Sequence, residues 1–123
     1  MESILTSIKK LLGIPEEYEH FDVDITMHIN SAFMILTQLG IGPKNGFSIT
    51  GNVEKWEDFL PDERMIHSVK SYIHLKVKLM FDPPLSSAVL ECHKEQIKEL
   101  EWRLQVAGDI VTTNSQEEIQ NGE

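Results

Sequence analysis

Four stretches of this chain place apolar residues at helical spacing, and turn-forming residues separate them. In residues 3–12 (SILTSIKKLL), Ile4, Leu5, Ile8, Leu11 and Leu12 recur every three or four positions, the mark of one apolar helical face. Lys9 and Lys10 fall near the end of this segment, where cations favour the helix dipole, and Gly13 and Pro15 stop it. Glu16, Glu17, Glu19, Asp22 and Asp24 follow, with no Lys or Arg among them. A second helix is predicted from about 22 to 39, with Asp22 or Asp24 as its cap. Its Val23, Ile25, Met27, Ile29, Ala32, Phe33, Leu36 and Leu39 are apolar on more than one side, which predicts a central helix. Gly40, Gly42 and Pro43 end it.

Residues 40–53 (GIGPKNGFSITGNV) are rich in turn formers. Asn45-Gly46 is a type I′ turn signal, and a weak alternation in Phe47, Ile49 and Val53 follows it, so a loop or a small hairpin is expected here. Trp56, Phe59 and Leu60 then pack that loop onto the helices. A third long helix is predicted over 62–81, capped by Asp62, with Met65, Ile66, Val69, Tyr72, Ile73, Val77, Met80 and Phe81 at helical spacing. The sequence FDPPLSS breaks it. Pro83 disfavours helical backbone at Asp82, and Pro84 does the same at Pro83, while proline suits the first turn of a new helix. The pair predicts a rigid corner. A fourth helix is expected from about 85 to 107, with Leu90, His93, Ile97, Leu100, Leu104 and Ala107 as a narrow heptad-like seam; Val89 and Trp102 lie off it. After Gly108 the chain turns polar and acidic. The expected architecture is therefore all-α: a small bundle of about four helices over residues 1–108, then a flexible acidic tail at 109–123.

A chain of 123 residues is one domain long. No apolar run approaches the roughly 18–20 residues of a membrane span. The N-terminus lacks the basic start and cleavage site of a signal peptide, so an intracellular protein is expected. The single cysteine, Cys92, has no internal disulfide partner. Its neighbour His93 does not face it on a helix, so a nucleophilic pair is not expected. His67 and His74 stand seven apart, too far along a helix to share one zinc directly. Asp22 and Asp24 point different ways. No zinc, phosphate-loop or nucleophile-elbow motif occurs. The reading is a non-enzyme without cofactor or metal. The net charge of −9 opposes non-specific binding to nucleic acid.

Charge layout says more. Lys70, His74 and Lys78 recur every four residues as a basic stripe on the third long helix. Glu91, Glu95 and Glu99 make an acidic stripe at the same spacing on the last. They read either as two solvated faces or as complementary surfaces through which one copy meets another. Contacts of the second kind close into rings when the rotation permits.

The segments ILTSIKKLLGIPEEYEHFDVDITMHINSAFMILTQLGIGP, WEDFLPDE and VKSYIHLKVKLMFDPPLSSAVLECHKEQIKELEWRLQVAGD resemble the phage head–tail connector family. These are the small helical head-completion adaptors of long-tailed phages and prophages. The likeness spans about residues 3–109. Its most specific parts are LGIPEEYEHFDVDI and YIHLKVKLMFDPPLSSAVLE. The resemblance implies a helical bundle that assembles as a homo-oligomeric ring under the portal protein after DNA packaging. Packaged DNA passes through the channel, and the ring docks the next neck or tail-completion protein. It implies a place in the virion neck, after synthesis in the host cytoplasm. On this reading the interface candidates are Lys70, His74, Lys78, Glu91, Glu95 and Glu99, with Pro83 and Pro84 as the corner that sets the last helix. The rival reading is a small helical regulatory or nucleic-acid-binding protein, with Lys70, Lys76 and Lys78 on phosphates. Against it, a recognition helix needs base-reading Arg, Asn or Gln on one face, and of these residues 64–81 offer only Arg64.

Overall fold

The computed structural model describes the backbone of residues 2–121 and the side chains of residues 2–109. The chain runs α1 (Ile4–Leu11), α2 (Asp22–Gln38), a one-turn α3 (Trp56–Phe59), α4 (Glu63–Phe81) and α5 (Ser87–Asn121). The all-α bundle with a corner after Phe81 is as the apolar spacing predicts. Several starts and stops have a local cause. The Ser3 hydroxyl accepts from the Thr6 N–H at 3.1 Å and opens α1. The Asp62 carboxylate accepts from the Arg64 N–H at 3.0 Å and opens α4. At the end of α2, Gly40 adopts φ 85°, its N–H reaches the Thr37 carbonyl, and the Ile41 N–H reaches Leu36. This pair of bonds closes the helix with a left-handed residue that a Cβ would disfavour. Gly13 closes α1 in the same way.

The hub of the bundle is α4, which packs against α1, α2 and α5. Its Val69, Tyr72, Ile73 and Val77 are fully buried, together with Ile4 and Ile8 of α1 and Ile25, Ile29, Phe33 and Leu36 of α2. The central position expected for α2 therefore belongs to α4. One side of α2 faces the core, and Val23, Met27 and Met34 on the other side are exposed. The rings of Phe33, Phe47 and Phe59 meet at centroid distances of 4.7–5.3 Å and seat the loop and α3 on α2.

The small hairpin expected between α2 and α4 does not form. Among the described residues the single β-bridge joins Ser3 to Lys55. A type I′ turn needs positive φ at both central residues, but Asn45 keeps a negative φ, and the turn closes instead from the Gly46 N–H to the Pro43 carbonyl at 3.0 Å. The backbone of Ile49, which a hairpin would pair, is taken by a side chain: Asn30 Nδ2 donates to its carbonyl at 2.9 Å, and its N–H donates to Asn30 Oδ1 at 2.7 Å.

Two further expectations change. No side chain caps α2, whose N-cap residue is Phe21. Asp22 instead lies 2.8 Å from the ammonium of Lys9, and Lys9 is buried rather than spread along the dipole at the end of α1. The last helix, expected to end near 107, continues through Gly108. That glycine is where α5 meets the end of α2: a Cβ at 108 would come within 2.4 Å of the Leu39 carbonyl oxygen. The residue that reads as a helix stop is a point of close helix packing. The flexible tail expected at 109–123 falls largely outside the described side chains.

Candidate assembly surfaces

The basic stripe is real as a spacing but not as an open surface. Lys70, His74 and Lys78 are all half-buried. Lys70 lines a groove with Glu2, Trp56 and Ile66 between α1, α3 and α4. His74 lines a second groove, between α4 and α5, with Ser71, Leu75, Glu99 and Arg103. Lys78 Nζ lies 3.7 Å from Asp82 at the helix end. Burial holds the His74 imidazole below the usual histidine range, and nearby Lys78 and His93 add to this, while the Leu11 carbonyl opposes it. His74 Nε2 and His93 Nδ1 are both buried without a hydrogen-bond partner.

The acidic stripe is exposed. Glu91, Glu95 and Glu99 each have a basic neighbour on their own helix: Lys94 at 3.7 Å, Lys98 at 3.7 Å and Arg103 at 2.8 Å. Such exposed pairs are worth about 0.3–0.5 kcal/mol each. The fold brings one member of each stripe, His74 and Glu99, to the walls of the same groove.

The corner follows from its prolines. The Asp82 N–H still reaches the Lys78 carbonyl at 2.8 Å, and the Leu90 N–H already reaches Ser86 at 2.9 Å. Helix is thus lost across the five residues Asp82 to Ser86, with Pro83 and Pro84 among them. The returning α5 runs antiparallel to α4, fixed midway by the buried Tyr72, whose hydroxyl donates to Glu101 Oε2 at 3.0 Å. Burial and the Glu101 carboxylate raise the pKa of that phenol.

Several features of the surface and core were not legible as such in the sequence. Trp102 and Val106 stand exposed on the outer side of α5, and Val23, Met27 and Met34 on the outer side of α2. The pattern had marked Trp102 as lying off the seam and α2 as apolar nearly all round. The all-round apolarity of α2 predicts a central helix, and the structure instead leaves Val23, Met27 and Met34 open. The burial of Lys9 and the Asn30 clamp left no spacing signal. Among the described residues no three His, Cys, Asp or Glu groups converge on a metal-sized site, and no helix is long and apolar enough to cross a membrane.

The surface thus comprises a helical hairpin that turns at two prolines, with Val23, Met27, Met34 and Trp102 exposed on α2 and α5. The chain matches the family described as phage connector protein over residues 4–110, and it belongs to that family. The family is a structural one and its role is that of a phage connector. No curated protein and no solved structure matches the chain.

Proposed function

We propose that this protein is a head–tail connector that assembles as a ring on the portal and joins the DNA-filled head to the tail. Family membership over nearly the whole chain carries the reading. The fold supports it in two ways. The prolines fix the angle between α4 and α5, so α5 is presented as a rigid element. And α5, at 35 residues, is far longer than its 19-residue partner α4, a difference of roughly 24 Å of helix. That excess is suited to a neighbour, to the portal or to the next neck protein. The exposed glutamates of α5 set orientation against such a partner more than they hold it. Packaged DNA passes without sequence-specific contact, in keeping with the charge of −9. The protein is made in the host cytoplasm and resides in the virion neck.

The test is deletion of the gene from its phage or prophage, with the lysate viewed by electron microscopy. DNA-packaged or leaking heads beside free, finished tails are the expected result. Normal joined particles would remove the connector reading.

A further inference from the structure

One end of the bundle gathers apolar side chains that the core does not use. Tyr18 stands exposed on the connection between α1 and α2, and Met80, Leu85 and Val89 stand exposed around the Pro83–Pro84 corner. Leu85 is the extreme case, with none of its surface covered. The two segments meet. The Phe21 and Phe81 rings lie edge to face at a centroid distance of 5.2 Å, and Tyr18 and His20 stand 5.7 Å and 5.0 Å from Phe21. Four rings thus run from the corner to the connection, half-buried at Phe21 and Phe81 and exposed at Tyr18 and His20.

Both segments are held in place. Buried Lys9 donates to the carbonyls of Glu16 and Tyr18 at 2.9 Å and 2.7 Å. These bonds fix the backbone of the connection and leave the side chains of Glu17, Tyr18 and Glu19 exposed. The two prolines fix the corner that carries Leu85. A surface whose backbone is already ordered loses little freedom when a partner arrives.

Charge narrows the kind of partner. Residues 14–22 hold four acids and residues 79–91 hold two, with no Lys or Arg in either segment. Four of the six have a base near them: Asp22 meets Lys9, Asp82 meets Lys78, Glu91 meets Lys94, and Glu16 lies near Lys10. Glu17 and Glu19, which flank Tyr18, make no ion pair among the described residues. On the α4 side Lys76, one turn before Met80, makes none either, so the uncompensated acid is confined to the connection. An apolar patch with two free carboxylates along one side repels phosphate, so nucleic acid and anionic lipid do not fit it. It suits an apolar side chain with a Lys or Arg beside it.

We propose that this end of the bundle docks a short basic segment of another virion protein. An aromatic or aliphatic residue of that segment packs against Tyr18 and Leu85, and its Lys or Arg lies beside Glu17 and Glu19. That the partner is a virion protein rests on the connector reading; the surface and its chemistry do not. Because α5 starts at this corner, its excess length lies away from the patch, and the two features serve different contacts.

The experiment is an array of overlapping synthetic peptides that covers the other virion proteins of the same phage, probed with the full-length protein. Fluorescence anisotropy then gives a Kd for each retained peptide. Three variants are compared: Leu85→Glu, Glu17→Lys with Glu19→Lys, and Val53→Glu as the control. Val53 is exposed beside the Ser3–Lys55 bridge, at the start of α1 and away from the patch. All the changes are at exposed positions, and circular dichroism confirms that helix content is kept. The wild type is expected to retain peptides in which Lys or Arg adjoins an aromatic or aliphatic residue. Leu85→Glu should weaken them about thirtyfold or more. The double charge reversal should weaken them about tenfold or more at low salt, and added salt should weaken the wild type. Val53→Glu should bind as the wild type does. An array that retains nothing overturns the proposal, and so does binding that survives Leu85→Glu or the charge reversal, or that Val53→Glu reduces equally. Gene deletion separates this contact from the connector reading. Unjoined heads and tails with an empty array would keep the neck role and remove the docking surface. Normal particles with peptide binding that depends on Leu85 and the two glutamates would do the reverse.

Discussion

Lys9 offers the sharpest test of how the fold is held. It sits on α1 with 2% of its surface exposed, where lysine is almost never found unless paired. Its ammonium donates to the carbonyls of Glu16 at 2.9 Å and Tyr18 at 2.7 Å, and lies 2.8 Å from Asp22 Oδ1. The last approach is a charge contact rather than an aligned hydrogen bond, since that oxygen has no hydrogen-bond partner. The one side chain therefore ties α1, the 13–21 connection and the first turn of α2. Lys9→Met keeps the aliphatic stem and removes the charge. Losing one partner of a buried pair costs about 3–5 kcal/mol. Asp22 keeps 27% of its side-chain surface in solvent and regains water, which sets the expected loss at the lower end, about 3 kcal/mol. At about 2.1 cal/mol/K of unfolding entropy per residue, that lowers Tm by about 10–15 °C. Asp22→Asn leaves an amide oxygen for the ammonium and should cost less, about 1–2 kcal/mol. The double variant should cost less than the sum by about 1 kcal/mol or more, because the two residues share one interaction. Urea titrations of the four proteins measure all three quantities. A Lys9→Met loss below about 0.5 kcal/mol, the range of an ordinary surface change, would refute the burial argument.

Other expectations follow from single contacts. Alanine is the better helix former by about 1 kcal/mol, yet Gly108→Ala should destabilise by about 1–3 kcal/mol because its Cβ meets the Leu39 carbonyl at 2.4 Å; a raised Tm would show that α5 does not pack there. Asn30→Ala removes both bonds to Ile49 and should cost about 2 kcal/mol, with faster amide exchange at residues 47–50 as the local readout and unchanged exchange as the contrary result. His74 is held below the ordinary histidine value of 6.5 chiefly by burial. The unfolded chain therefore binds its proton first on acidification, so stability is fully present above pH 6.5 and falls as pH drops through the lowered folded-state value. His74→Gln should flatten that part of the pH–stability curve, and an unchanged curve would assign the fall to other groups.

The sequence by itself determined the four long helices and most of the places where they stop, but not the one-turn α3 or the continuation of α5 beyond Gly108. The three- and four-residue recurrence of Ile4 to Leu12 or of Met65 to Phe81 is a local property, and so are Gly13, Gly40, Asp62 and the Pro83–Pro84 pair. Local backbone preference acts within a few residues and needs no tertiary partner to be read. The likeness to the connector family was legible for a related reason, because it rests on the same long runs. Only the tertiary structure decided which apolar face each helix buries. On α2 the pattern allowed burial on every side, and the packing of α4 as hub left Val23, Met27 and Met34 outside. The fates of single polar residues were settled there too. Lys9 is buried because two carbonyls and Asp22 converge on it, and Asn30 displaces a hairpin because its amide matches the Ile49 backbone. Gly108 reads as a helix stop, and packing against Leu39 makes it the reason α5 can approach α2. The charged stripes show the same division: spacing set Lys70, His74 and Lys78 on one side of α4, but the positions of α1, α3 and α5 decided that this side is half covered. Spacing fixes which residues share a face, whereas contact across residues distant in sequence depends on where the other helices lie.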